Sequence, residues 1–133
     1  KKVLEENFFV EKMLGTDPIE PFSEEVMNEY RKPYINSGED RRPTLDWPRQ
    51  IPIDREPIEV HEEVKSNLSF MLESELPKLL IIGDPGRLMK GQLIEFCRKF
   101  KNQTEVTVKG CHFLQEESPK EITEAINNWI KTI

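Results

Sequence analysis

This chain of 133 residues has little cysteine, no long apolar run and no block of like charge, and each shortage excludes a class of protein. Cys97 and Cys111 are its two cysteines, one in a helical pattern and one at the end of a strand pattern. Neither a disulfide framework nor a CxxC metal knuckle can be built from them. No stretch of about 18 apolar residues is present to span a bilayer, and the start Lys1-Lys2-Val3-Leu4-Glu5-Glu6 lacks the apolar centre of a signal peptide. These features predict a soluble protein of a reducing, cytoplasmic compartment with no membrane partner. The 19 basic and 25 acidic residues are interspersed, and a net charge of -6 argues against a nucleic-acid partner. One further absence concerns chemistry: the chain offers a histidine suited to proton transfer but no nucleophile motif for it to serve.

What is present divides into two stretches. Residues 1–57 hold seven of the ten prolines and no sustained strand signal. Within them Ser23 to Tyr30 predicts a helix, with Ser23 as cap, acidic residues in the first turn and Pro33 beyond the end. Arg41 to Pro57 carries Pro43, Pro48, Pro52 and Pro57, a spacing too tight for a helix interior and unfit for a central strand, and predicts an irregular, proline-stiffened segment.

From residue 58 the pattern alternates. A helix is expected from Pro57 to about Ser74, with Val60, Val64, Leu68, Met71 and Leu72 on one face. The apolar run ending at Gly83 predicts a strand covered on both faces, closed by Asp84-Pro85-Gly86. A helix from about Met89 to Phe100 follows, then a strand from Glu105 to Val108, then a terminal helix opened by Ser118-Pro119-Lys120-Glu121, which reads as a capping box. Helices alternating with strands imply an α/β fold with parallel strands joined by right-handed crossovers. Two such strands leave a long unpaired edge, so the chain is expected to be the second half of a larger α/β unit.

His112 lies just after the second strand, before a helix, which is where open α/β sheets keep their chemistry. A histidine there is a candidate general base, since it titrates near neutral pH. Read from the residues alone, a histidine in such a turn is more often a partly exposed loop side chain than a base. Phe113 next to it could be core, and Phe9 and Met13, four apart on one helix face, could be packing residues. Trp47, before a proline, could be a packing anchor.

Three longer stretches narrow these alternatives. They are Asn7-Phe8-Phe9-Val10-Glu11-Lys12-Met13-Leu14, the segment Arg41-Arg42-Pro43-Thr44-Leu45-Asp46-Trp47-Pro48-Arg49-Gln50-Ile51-Pro52-Ile53, and the run from Phe96 through Asn102-Gln103-Thr104-Glu105-Val106-Thr107-Val108 to Gly110-Cys111-His112-Phe113-Leu114-Gln115-Glu116. Together they resemble haloalkane dehalogenases of the α/β-hydrolase fold, and are similar to the Renilla-type coelenterazine luciferases.

The resemblance implies a C-terminal half of that fold (residues 58–133) preceded by part of a helical cap and its return segment (residues 1–57). It implies an enzyme in which an aspartate displaces halide to form an ester, and a histidine-activated water hydrolyses it. His112 matches the base. Phe9, Met13, Trp47, Pro48, Ile51, Leu88 and Phe113 match positions lining the substrate cavity or its access. No cofactor and no metal are implied. The expected partners are a small halogenated hydrocarbon, or coelenterazine, and the N-terminal half of the same fold, which would bring the nucleophile. Asp84, at the end of the first strand, is a weaker candidate for the carboxylate that orients the histidine, because aspartate before Pro-Gly commonly bonds its own backbone. The remaining alternative is a fragment or half-domain that binds a partner through its open sheet edge.

Overall fold

A computed structural model describes residues 1–15 and 18–133. They form two compact units, Lys1–Ser66 and Asn67–Ile133. Among the described residues no helix is long and apolar enough to cross a membrane.

The first unit is built of short helices. Helix α1 (Lys2–Glu6) ends at Asn7, whose left-handed backbone (φ 48) turns the chain into a π-helical segment, Phe9–Leu14. Helix α2 (Glu24–Arg31) forms where expected, and Ser23 Oγ accepts the Val26 N–H at 3.3 Å. The proline-rich stretch is more regular than its composition suggests. It contains α3 (Arg42–Asp46) and a 3-10 turn at Pro48–Gln50, each with its proline in the first turn, where the missing N–H costs no helical hydrogen bond. Val10, Leu14 and Met27 form the apolar core of this unit, with Asn7 and Thr44 buried beside them.

One side chain ties the short helices together. The Arg41 guanidinium donates to the carbonyls of Leu4 (3.1 Å), Glu5 (2.6 Å), Tyr34 (2.9 Å) and Ile35 (3.1 Å). Carbonyls at helix ends have no partner within the helix, and a planar fork of N–H donors satisfies several at once. Arg31 plays a second bridging role, pairing in a fork with both Glu11 oxygens (2.8 and 2.9 Å) and also with Glu24 (2.8 Å). The Arg31 bond holds the Glu11 carboxyl below its ordinary range, and the two carboxylates raise the Arg31 guanidinium still further.

The long helix α4 (Ile58–Glu73) spans the boundary between the units and buries none of its residues, leaving Val64, Leu68 and Phe70 exposed. In the second unit, strand β1 (Lys78–Pro85) pairs in parallel with β2 (Gln103–Gly110), from Lys78 opposite Gln103 to Pro85 opposite Gly110. Both strands run longer than the apolar pattern indicated, because the backbone ladder continues through polar residues. Helix α5 (Gln92–Cys97) is shorter than the pattern from Met89 to Phe100. A short α6 (Leu114–Glu117) precedes the terminal α7 (Pro119–Ile130). Ile82, Val108 and Ala125 are buried here. Leu79, Leu80 and Ile81 are only half-buried, although so apolar a strand suits cover on both faces.

The expected capping box at Ser118 does not form. Ser118 makes no side-chain cap bond, and its hydroxyl donates to the Lys109 carbonyl near the end of β2. The opposite end of the sheet is fixed by Lys78, only 9% exposed, whose ammonium donates to the carbonyls of Ser74 (2.6 Å), Leu76 (2.9 Å) and Lys101 (3.0 Å). Asn102, left-handed at φ 48, donates its amide to the Glu75 carbonyl at 2.7 Å.

Candidate functional site

The second unit carries a histidine at its sheet end. Both parallel strands finish at the same level, with Pro85 opposite Gly110, and Cys111-His112-Phe113 crosses from β2 to α6. His112 is exposed, and its ring meets Phe113 edge to face at 4.7 Å. Leu88 lies in the turn after β1 and is 62% exposed. Asp84 is exposed and stands in register with Lys109.

Close packing shapes this turn. The Gly110 carbonyl accepts the Gly86 N–H at 2.9 Å, which ties the ends of the two strands. A Cβ on Gly83 would stand 2.7 Å from the Gly110 carbonyl oxygen and 2.7 Å from Leu114 Cδ2; one on Gly110 would stand 2.5 Å from the same Leu114 atom. Gly83 and Gly110, on neighbouring strands, therefore let Leu114 of α6 close directly over the sheet end. The carboxylate of Glu117 accepts the Cys111 N–H at 2.8 Å. The sequence reading missed Glu117 as part of the site; its only signal was an acid five residues after His112.

The first unit carries an apolar groove of about 610 Å³. Phe9, Met13, Pro48 and Ile51 line it, joined by Val3, Phe8, Leu45 and Ile53, with Arg49 and Glu56 also present. Phe9 and Met13 belong to the π-helical segment, and a turn widened to i→i+5 hydrogen bonds still keeps residues four apart on one side. Trp47 is 71% exposed and contributes nothing to this lining. Thus four of the anticipated cavity residues share one groove, while His112, Phe113 and Leu88 belong to the other unit. Val3 and Ile53, close in sequence to Phe9 and Ile51, were not anticipated, because an apolar residue in a short helix or an irregular segment carries no sign of which surface it will line. A groove of this kind can take a small, weakly polar molecule, since few of its walls offer hydrogen bonds.

The ionic groups elsewhere in the second unit are structural. Arg98 pairs in a fork with Glu105 on β2 (2.7 and 2.8 Å) and with Glu95 (2.6 Å). The hydrogen bond from Arg98 lowers the Glu105 carboxyl from its ordinary value.

No protein-family model matches the chain. A haloalkane dehalogenase of Sphingobium indicum is 46% identical over 131 residues, which cover 98% of this chain and 44% of that protein. The coelenterazine h 2-monooxygenase of Renilla reniformis is 38% identical over 135 residues, covering all of this chain and 43% of that enzyme. Among solved structures, the haloalkane dehalogenase DbeA from Bradyrhizobium elkani superposes with a TM-score of 0.91 at 34% identity, over 98% of this chain and 45% of that one. The chain thus spans less than half the length of the relatives it matches. In sequence and in fold alike it is a relative of the haloalkane dehalogenases, and corresponds to the C-terminal part of their α/β-hydrolase fold.

Proposed function

We propose that the chain supplies the proton-accepting and cap portions of a haloalkane dehalogenase-like hydrolase. The observation that carries this reading is the position of His112, exposed at the carboxyl end of a parallel strand pair in a chain 46% identical to a haloalkane dehalogenase. In the proposed reaction a carboxylate oxygen of an aspartate outside this chain attacks the carbon bearing halogen. The carbon–halogen bond breaks, halide leaves with the bonding electrons, and an alkyl ester remains. His112 then takes a proton from a water whose oxygen attacks the ester carbonyl; the alcohol departs and the carboxylate is regenerated.

The groove bearing Phe9, Met13, Pro48 and Ile51 is proposed to hold the alkyl part of the substrate, with Phe113 beside the base and Trp47 and Leu88 near the access path. Its apolar walls suit a haloalkane, because a poorly solvated carboxylate is the stronger nucleophile. The remainder of the fold is proposed to cover the apolar surface left open in both units, such as Ile35 in the first and Phe70 and Leu76 in the second. Burying a large apolar side chain contributes roughly 1.5 to 3 kcal/mol.

The test is His112→Ala in the complete protein, offered a 1-haloalkane or a 1,2-dihaloalkane. Halide is released once, and the alkyl ester accumulates and is detected by mass spectrometry; full turnover by the variant would refute the role of His112. A second reading, oxygenation of coelenterazine, is supported by the Renilla relative and by the Phe8-Phe9 pair in the groove. Light emission with coelenterazine, without halide release from haloalkanes, would favour it.

A further inference from the structure

The turn carrying His112 is held by groups that the proposed chemistry does not touch. Strand β2 ends at Gly110, so the next N–H, that of Cys111, has no partner strand to receive it. A carboxylate reaches it from the last residue of α6: Glu117 Oε2 lies 2.8 Å from the Cys111 nitrogen. The approach is possible because Gly110 has no side chain. A Cβ there would meet Glu117 Oε2 at 3.2 Å and Glu117 Cβ at 3.4 Å, besides Leu114. On the other side of the same residue pair, Ser118, 3% exposed, donates to the Lys109 carbonyl. The backbone is therefore bonded immediately before the histidine, while the imidazole itself stays exposed.

We infer that Glu117 is a positioning residue for His112: by accepting the Cys111 N–H it fixes the backbone one residue before the histidine and so sets the direction in which the imidazole leaves the sheet end. The side-chain oxygen takes the place of the carbonyl that a neighbouring strand would have offered to this N–H, so its reach sets the bond. A freely turning His112 would spend little of its time aligned with a water at the ester, so the bond acts on the base through alignment. The inference deepens the proposed function, since it concerns the same histidine, but its readout needs no turnover.

Two substitutions separate reach from charge. Glu117→Gln keeps a carbonyl oxygen at the same distance along the side chain and loses the charge; Glu117→Asp keeps the charge and falls short by one methylene. In the isotopically labelled protein, hydrogen exchange of the Cys111 amide and the ring resonances of His112 are followed by NMR. Glu117→Gln is expected to retain protection of the Cys111 amide and the Phe113-shifted His112 ring signals. Glu117→Asp is expected to speed that exchange by roughly tenfold and to move the His112 ring signals toward those of a free histidine. Protection as in the parent with Asp, or loss of protection with Gln, would overturn the assignment. Full turnover by His112→Ala would instead remove the base from the reaction and leave these NMR shifts as they are.

Discussion

Adding a single methyl group at Gly83 should damage the sheet end through two clashes, one of which no side-chain rotation can relieve. At Gly83 the new Cβ would lie 2.7 Å from a backbone carbonyl oxygen, that of Gly110, and 2.7 Å from Leu114 Cδ2. At Gly110 its nearest neighbours would be side chains, Leu114 Cδ2 at 2.5 Å and Glu117 at 3.2 and 3.4 Å. A leucine tip can rotate away, whereas a carbonyl that already accepts the Gly86 N–H at 2.9 Å cannot move without breaking that bond. Overpacking of this kind costs about 1 to 3 kcal/mol, and Gly83→Ala belongs in the upper part of that range. With a denaturant slope of about 1.5 kcal/mol/M, a loss of about 2.5 kcal/mol lowers the urea midpoint by roughly 1.7 M.

Leu114→Ala supplies the control. Alone it costs about 1 to 2 kcal/mol, less than a fully buried leucine would, because Leu114 is half-buried. Combined with Gly110→Ala it removes the only severe contact, so the pair should lose about 1 kcal/mol less than the sum of the singles. Combined with Gly83→Ala it relieves one of two clashes and leaves the carbonyl contact in place. Urea unfolding of the two double-mutant cycles measures both couplings. An unchanged midpoint for Gly83→Ala, or its full rescue by Leu114→Ala, would refute the reasoning.

Replacing Lys78 by Met should cost about 2 to 3 kcal/mol in the same assay, because three carbonyls lose a charged donor at a site only 9% exposed. The midpoint should also depend on acid. Glu11 and Glu105 carry lowered carboxyl pKa values through their bonds to Arg31 and Arg98. A carboxyl whose pKa is lower folded than unfolded stabilises the fold above its unfolded value, and that contribution disappears as pH falls through the folded value. Urea midpoints should therefore decline as pH drops below about 4.5, and less so at high salt or in Glu11→Gln, since these exposed pairs are screened; a midpoint flat across that range would contradict the assignment.

The order of elements was legible because it rests on local chemistry. Ser23 before a run of acids, apolar residues at helical spacing, and a proline after a serine predicted α2, α4, β1, β2 and α7 in sequence, and alternation made the strands parallel. The position of His112 after the second strand was legible for the same reason. Side-chain hydrogen bonding across elements was not. Ser118 was expected to cap α7, but a hydroxyl bonds whichever carbonyl or amide the fold brings near, and the Lys109 carbonyl reached it. The prolines of residues 41–57 indicated disruption, yet proline in the first turn of a helix breaks no helical hydrogen bond, and the fold used that freedom twice.

The sequence by itself determined which segments are helix and strand, that the strands run parallel, and that a titratable side chain lies at their carboxyl end, because periodicity and turn residues act over a few positions. The tertiary structure alone decided which apolar residues share a groove, that Arg41 gathers the carbonyls of several short helices, and that Glu117 closes over Gly110 onto the Cys111 amide. Those outcomes depend on distances between residues that are far apart along the chain or on how closely two backbones can approach, and neither quantity is set until the elements pack.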